Sequence, residues 1–169
     1  GIKKKYDLII VADYGHGMIT PKIAKFLSKE KNFLSLNAQI NSTNIGLHNI
    51  NKYKKINNLV INAGELRHEM NQREGDIVDL ARKYKKLINC KYLCVTQGKQ
   101  GAFIIDDNFK IYSSPAFSLQ SKDKIGAGDA FLSLISLLNF KKIDTELSIY
   151  IASLAAAKSA DTLGNKEPV

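Results

Sequence analysis

The chain has 169 residues, enough for one domain with a sizeable core, and its hydrophobic fraction of 44% excludes an intrinsically disordered protein. No apolar run approaches the roughly 20 residues of a membrane span, and the first residues show no signal-peptide pattern, so we expect a cytoplasmic protein without a membrane partner. The net charge of +9 admits nucleic acid, but the basic residues are scattered and lack interleaved aromatic residues. We therefore expect a lysine-rich surface that attracts anionic substrates and no nucleic-acid partner, and we keep nucleic-acid binding as an alternative hypothesis.

The first part of the sequence predicts three strands and one helix. Continuous apolar runs, typical of strands covered on both faces, lie at residues 8–11, 33–36 and 59–61. Thr20 is a preferred N-cap residue and Pro21 a preferred first helical residue, so a helix should begin there. Its predicted buried stripe is Ile23, Phe26 and Leu27. A glycine-rich loop at residues 13–17 follows the first strand, and a polar segment at 37–49 follows the second.

The second part predicts further strands and helices in alternation. Asp76 should cap a helix whose buried stripe is Ile77, Leu80, Ala81, Tyr84, Leu87 and Ile88. A fourth strand is expected at 92–95, a second glycine loop at 96–101, and a β-hairpin at 102–105 and 110–113. An alanine-rich helix is expected at 145–160, ended by Gly164. Cys90 and Cys94 would lie about 13 Å apart on one strand, too far for a disulfide, so both should be reduced core residues.

The stretch at residues 121–138 carries the clearest chemical signal. Gly126-Ala127-Gly128 directly precedes an apolar run with helical spacing: Ala130, Phe131, Leu134, Leu137 and Leu138. Glycines ahead of a helix leave the backbone N–H groups unobstructed, and these groups with the positive end of the helix dipole form an anion site. Asp129 lies in the first helical turn, beside that anion. A phosphate site next to a carboxylate base is the arrangement that phosphoryl transfer to a hydroxyl requires.

Alternating strands and helices predict an α/β fold with a mostly parallel sheet flanked by helices, in one domain over residues 1–169. In such sheets ligands bind beyond the carboxyl ends of the strands. Asp13, Asn37, Asn62, Thr96 and Asp129 all fall at such ends or at the adjoining helix start. We therefore expect these residues to contribute to one site.

Three motifs in order resemble the ribokinase-like PfkB family of carbohydrate kinases. They are Asn62-Ala-Gly-Glu65, Thr96-Gln-Gly-Lys-Gln-Gly101 and Asp123-Lys-Ile-Gly-Ala-Gly-Asp129. The loop Asp13-Tyr-Gly-His-Gly17 resembles the branch that includes the heptose-phosphate kinase domain of ADP-heptose synthesis, where lysine is frequent at the position of His16. The resemblance covers the whole chain, but only the later half to two-thirds of the family's usual domain.

The resemblance implies ATP-dependent phosphorylation of a sugar or sugar phosphate, here a heptose-phosphate-like substrate of surface-polysaccharide synthesis. It implies that Asp129 is the base and that the N–H groups of Gly126, Ala127 and Gly128 stabilise the charge on the transferred phosphoryl group. The implied nucleotide-side residues are Thr96, Gly98, Gly101 and Asn165, with Asn62 and Glu65 organising Mg²⁺ and the triphosphate. The implied metal-site residues are Glu65 for Mg²⁺ and Asp123 for a monovalent cation such as K⁺, and the implied substrate-side residues are Asp13, Gly15, His16 and Asn37.

The same resemblance implies further partners. The family's amino-terminal half, with much of the sugar pocket and its lid, is expected to come from outside this sequence. A fused nucleotidyltransferase domain is also an expected partner, and the fragment by itself is expected to be poorly active. Because half a sheet without its neighbouring strands leaves an unpaired edge, a homo-oligomer is expected as well.

Alternative interpretations stay open at this point. Asp129 can be a helix-start carboxylate stabilised only by the dipole, Asn62 with Glu65 a simple turn, and Gly98 with Gly101 plain hairpin glycines. His16, His48 and His68 have no metal-ligand spacing and are expected to be surface or loop residues, with His16 the one that can reach substrate. Lys124 replaces the Thr or Val of many relatives. A non-catalytic nucleotide or phosphosugar binding module is therefore the main alternative.

Overall fold

The computed structural model of the chain describes residues 6–29, 31–39, 50–117 and 126–161. The predictions for His48, Asp123, Lys124, Gly164 and Asn165 lie outside these residues. The strands are β1 (Leu8–Asp13), β2 (Phe33–Ala38), β3 (Asn58–Asn62), β4 (Tyr92–Thr96), β5 (Ala102–Ile105) and β6 (Ile111–Ser114). The helices are α1 (Pro21–Lys29), α2 (Ala63–Glu69), α3 (Ile77–Ile88), α4 (Ala127–Phe140) and α5 (Thr145–Asp161), with short 3₁₀ turns at Ile50–Lys52 and Gly98–Gln100.

The six strands form one sheet in the order β1-β2-β3-β4-β5-β6. Strands β1 to β4 are parallel, whereas β5 and β6 add to the β4 side as an antiparallel hairpin. The hairpin turn is held by the Asp106 carboxylate, whose Oδ1 accepts hydrogen bonds from the N–H groups of Asn108 and Lys110. The predicted α/β fold with a mostly parallel sheet is therefore confirmed.

Helices cover both faces of the sheet. Since neighbouring residues of a strand point to opposite faces, they pack against different helices. Leu59 and Ile61 pack with α1, α2 and α3, whereas Val60 packs with α4 and α5 on the other face. Cys90 and Cys94 are buried and free, as predicted. Among the described helices, none combines the length and apolar character that a membrane crossing needs.

Helix ends agree with the sequence better than helix faces do. Thr20 Oγ1 accepts the N–H of Ile23 at the start of α1, and Asp76 caps α3 through the N–H groups of Val78 and Asp79. The predicted stripe of α1 is wrong in part: Ile23 and Phe26 are exposed, and the buried face is Ala24, Leu27 and Ser28. Serine fits there because its hydroxyl donates to the Ala24 carbonyl and accepts the N–H of Lys54.

Two further predicted stripes are wrong at single positions, and one segment is wrong at its boundary. In α3, Leu87 is 73% exposed. Lys85 is buried, because its ammonium donates hydrogen bonds to the carbonyls of Cys90 and Lys91, which follow the helix. In α4, Leu137 is exposed, while Ser136 and Asn139 are buried by the polar contacts described next. The second strand was predicted to end at residue 36, but β2 continues through Ala38, so the first two residues of the predicted polar segment belong to the strand.

A buried polar cluster attaches α4 to the sheet. The Asn58 amide at the start of β3 donates to Ser35 Oγ at 2.7 Å and accepts from Asn139 Nδ2 at 2.9 Å. Ser35 Oγ also lies 2.5 Å from Ser136 Oγ, so β2, β3 and α4 share one network. Because Ser136 and Asn139 belong to the last turns of α4, this network places the end of α4 at the beginning of β3. The first turn of α4 consequently lies toward the carboxyl ends of the strands.

We predict that Asn58→Ala lowers the free energy of unfolding by about 2–4 kcal/mol, because it removes the acceptor of the buried Asn139 Nδ2 and one of the two hydrogen-bond partners of Ser35 Oγ. Urea denaturation measures the change. Asn108→Ala, an exposed position in the β5–β6 turn, is the matched control and should change stability by less than about 0.5 kcal/mol. Equal stability of the two variants would contradict an anchoring role for the cluster.

Candidate active site

A cavity of about 260 Å³ lies between the second glycine loop, α4 and α5. Two separate predicted motifs meet at it, since Thr96, Gly98 and Gly101 line one side and Ala127 and Gly128 another. The remaining lining residues are Lys99, Ala102, Ala116, Phe117, Phe131, Ser153, Ala156, Ala157 and Ala160. The lining is mostly small and apolar near α5 and offers backbone groups and Lys99 nearer the loops, a combination suited to a ligand with an apolar and an anionic end.

The first turn of α4 contributes polar backbone groups to this cavity. The helix begins after Gly126, and the Gly126 carbonyl accepts the N–H of Ala130, the first bond of the helical pattern. The N–H groups of Ala127, Gly128 and Asp129 precede that bond and have no acceptor within the helix. Ala127 and Gly128 line the cavity, so the start of α4, where helices can bind anions, borders open space.

Asp129 lies in the same first turn and is exposed. Its carboxylate accepts a hydrogen bond from the Tyr14 hydroxyl, which lies 3.1 Å from Oδ2 and 3.3 Å from Oδ1. Tyr14 follows β1 directly, so the loop after the first strand reaches the start of α4. Asp129 directly follows Gly128, which lines the cavity, and an exposed carboxylate can accept a proton from a bound hydroxyl.

Asn62 and Glu65 form a capping box at the start of α2. Asn62 Oδ1 accepts the N–H of Glu65 at 2.8 Å, and Glu65 Oε2 accepts the N–H of Asn62 at 2.9 Å. This geometry satisfies two backbone donors that a helix start leaves open, so both residues have a structural role in α2. Asn62 also pairs in register with Thr96 of β4, which places the box beside the cavity.

Asp13 ends β1 and is 3% exposed. Its carboxylate accepts hydrogen bonds from the Tyr53 hydroxyl at 2.6 Å and the Gly15 N–H at 3.0 Å, and Lys52 Nζ lies 2.6 Å away. Burial alone would raise the pKa of Asp13, but the contacts with Lys52, Tyr53 and Gly15 outweigh it and hold the pKa below its ordinary value. The carboxylate is thus kept ionised inside the fold.

The other predicted substrate-side residues lie near Asp13. Asn37 is opposite Ala12 in the β1–β2 register, and its amide donates to the Val60 carbonyl at 3.0 Å. Gly15 turns the loop, and His16 is exposed on it. Their contact with a substrate stays a prediction. The carboxyl ends of β1 to β4 and the start of α4 nevertheless meet at one edge of the sheet, as the α/β pattern implies.

Sequence reasoning missed several residues at this edge. Tyr14 lies in the glycine-rich loop at residues 13–17, but nothing in its local sequence pattern indicates a contact with Asp129. Lys52 and Tyr53, which hold Asp13, lie in a lysine-rich stretch without a motif. Ser153 is 8% exposed and lines the cavity, and its hydroxyl has no hydrogen-bond partner among the described residues. A serine within the alanine-rich α5 was the available signal.

Comparison with known proteins gives consistent results. The family described as pfkB family carbohydrate kinase matches residues 36–168. The chain is 27% identical over 165 residues to the Bifunctional protein HldE of Campylobacter curvus and 26% identical over 165 residues to that of Aliarcobacter butzleri. These matches cover 96% of this chain and 34% of each relative, so the chain spans about a third of the relatives' length.

Solved structures share the fold at low sequence identity. The Arabidopsis thaliana ribokinase complexed with ribose and ATP superposes with a TM-score of 0.74 at 21% identity, over 94% of this chain and 51% of that one. The Escherichia coli phosphofructokinase-2 in complex with potassium gives a TM-score of 0.77 at 15% identity, over 94% of this chain and 52% of that one. The architecture is therefore that of about half of a ribokinase-like chain.

The two loop glycines should respond differently to alanine. At Gly101 (φ +87°) a Cβ would lie 2.1 Å from the Ser114 carbonyl oxygen, whereas at Gly98 (φ +57°) it would meet nothing within 4 Å. We expect Gly101→Ala to cost more than about 3 kcal/mol of unfolding free energy and Gly98→Ala about 1 kcal/mol. Urea denaturation measures both changes in stability. Similar losses in the two variants would contradict the close approach of the Gly101 backbone to the Ser114 carbonyl.

Proposed function

Because the chain belongs to the pfkB family of carbohydrate kinases, we propose that it is the nucleotide-binding, base-bearing part of an ATP-dependent kinase that phosphorylates a hydroxyl of a sugar or sugar phosphate. The observation that carries the proposal is the exposed Asp129 carboxylate in the first turn of α4, directly after Ala127 and Gly128, which line the cavity. Phosphoryl transfer needs little more from a protein than positioning, charge stabilisation and a base. The proposal assigns all three to this edge of the sheet.

The cavity residues fit a nucleotide. Ala156, Ala157 and Phe117 offer small and apolar contacts for a base, and the start of α4 offers N–H groups to phosphate oxygens. ATP would supply the phosphoryl group. The N–H groups of Gly126, Ala127 and Gly128 would stabilise the charge that grows on it, while Asp129 takes the proton of the acceptor hydroxyl.

The part of the chain that the structure describes offers few groups for Mg²⁺. Among the described residues no three His, Cys, Asp or Glu side chains come together as a metal site, and the Glu65 carboxylate already accepts the Asn62 N–H. Mg²⁺ bound to triphosphate keeps several waters and needs few protein ligands. Glu65 would therefore act through water, with Asn62 orienting it. Asp123, proposed for a monovalent cation, lies outside the described residues.

A heptose-phosphate-like acceptor is proposed for the sugar side. The support is the resemblance of residues 13–17 to that branch, with Tyr14 reaching Asp129 and His16 exposed on the same loop. The net charge of +9 favours an anionic acceptor over a neutral one. Since the relatives are named bifunctional and are three times as long, a second domain, such as a nucleotidyltransferase, and the rest of the kinase domain are proposed partners.

A non-catalytic nucleotide or phosphosugar binding module is the second candidate. The observation that favours it is the capping box, which uses the side chains of Asn62 and Glu65 for the structure of α2. Binding without transfer would then be the whole function of the cavity. Turnover by the full-length protein separates the two candidates.

We predict that Asp129→Asn in the full-length protein lowers kcat by roughly 10²–10⁴-fold, because the acceptor hydroxyl loses its base. The reaction is followed as ATP-dependent phosphorylation of a panel of hexoses, heptoses and their monophosphates. Asp79→Asn is the matched control, since Asp79 is also an exposed carboxylate in a first helical turn, that of α3. A near-normal kcat in Asp129→Asn would remove this residue from the mechanism.

We predict that Ala157→Leu weakens ATP binding by roughly tenfold or more, because a larger side chain enters the 260 Å³ cavity. The rise in melting temperature that ATP induces measures the affinity. Lys158→Leu adds the same side chain at an exposed position of the same helix that does not line the cavity and serves as the control. If ATP stabilised Ala157→Leu as much as the wild type, the nucleotide would have to bind elsewhere.

A further inference from the structure

The contact between Tyr14 and Asp129 joins residues 115 positions apart, one after β1 and the other at the start of α4. The Tyr14 hydroxyl lies within hydrogen-bond distance of both carboxylate oxygens, at 3.1 and 3.3 Å. It is therefore directed at the group that the proposed function makes the base. Tyr14 is 42% exposed, so it lies at the surface and not in the core.

The position of Tyr14 is fixed by the residues before and after it. Its neighbour Asp13 is held inside the fold by the Tyr53 hydroxyl and by Lys52 Nζ, both at 2.6 Å. The same Lys52 ammonium donates to the Ile19 carbonyl at 3.0 Å. One lysine thus ties both ends of the loop between β1 and α1. A hydrogen bond from a loop held in this way is better oriented than one from a free surface side chain.

The phenol acts as a donor in this contact. Burial and the negative charge of the accepting Asp129 carboxylate raise the pKa of Tyr14, so the phenol stays protonated at neutral pH. A carboxylate has about four acceptor sites on its two oxygens, and one phenol leaves the others available. The phenol therefore limits the orientation of the carboxylate and still permits a second donor, such as a substrate hydroxyl.

We propose that Tyr14 is the positioning residue for Asp129 and marks the acceptor side of the site. The phenol orients the carboxylate so that an unused acceptor site faces the incoming hydroxyl, and the proton of that hydroxyl goes to Asp129 and not to Tyr14. This inference rests on the proposed role of Asp129 as the base. It also assigns the sides of the site, with the nucleotide in the cavity beside α5 and the acceptor beside the loop after β1.

The test is Tyr14→Phe in the full-length protein, which removes only the hydroxyl. We expect kcat to fall by roughly tenfold or more, which is the size expected for one hydrogen bond to a charged group. The KM for ATP and the melting temperature should not change, because the ring remains and the nucleotide cavity is not touched. Tyr150→Phe is the matched control, since Tyr150 is an exposed tyrosine of α5 whose ring contact with Phe117 survives the change.

Wild type, Tyr14→Phe, Tyr150→Phe and Asp129→Asn are measured side by side with the acceptor panel described above. An active wild type, an inactive Asp129→Asn and an unchanged kcat in Tyr14→Phe would overturn the role of Tyr14 alone. A rise in the KM for ATP or a lower melting temperature in Tyr14→Phe would indicate a structural role and also overturn it. A wild type that transfers phosphate to no acceptor would overturn the proposed function and this inference together.

Discussion

The direction of α4 is the constraint on which the candidate site depends, and buried hydrogen bonds set it. Asn58 at the start of β3 bonds Asn139 in the last turn of α4, and Ser35 of β2 contacts Ser136. A helix of 14 residues is about 21 Å long, close to the length of the strands beneath it. Fixing its last turns at the start of β3 therefore carries its first turn to the opposite edge. Hydrophobic packing alone would tolerate the helix sliding along the sheet, whereas these polar groups have partners in one register only.

That edge of the sheet can hold a ligand because small residues leave space there and the first turn of α4 borders the space. The α5 residues Ala156, Ala157 and Ala160 leave room that larger side chains would fill. Gly101 lets the chain pass close to the backbone of Ser114, which brings Ala116 and Phe117 to the cavity wall. The cavity thus exists because the residues around it are small, and the anion binding that we propose for it depends on where α4 begins.

Much of this arrangement could be predicted from the sequence, because the signals are local. The apolar runs gave the strands, Asp76 gave a helix start, and the three motifs named residues that meet at one edge. The buried faces of α1, α3 and α4 were predicted less accurately, because hydrophobic periodicity does not reveal which elements a helix packs against. Lys85 is buried because its ammonium donates to a carbonyl that follows α3. Asn139 is buried because its amide bonds Asn58, a residue 81 positions away in the sequence. The contact of Tyr14 with Asp129 was likewise invisible, since it depends on how two loops fold over the sheet.

The loop after β1 shows that residue type alone does not reveal what each residue of a motif contacts. Asp13 was expected at the substrate, and its prediction of substrate contact stays open, but its carboxylate is already held by Lys52 and Tyr53. Because its pKa is lower in the folded protein than in the unfolded chain, this ion pair stabilises the fold above the ordinary pKa of an aspartate. The stabilisation is lost as the pH falls through the lowered folded value. At neutral pH the anchor is therefore complete, and a buried charge holds the loop that carries the exposed Tyr14 to the start of α4. In this loop the buried acidic residue supplies position, and its exposed neighbour reaches Asp129.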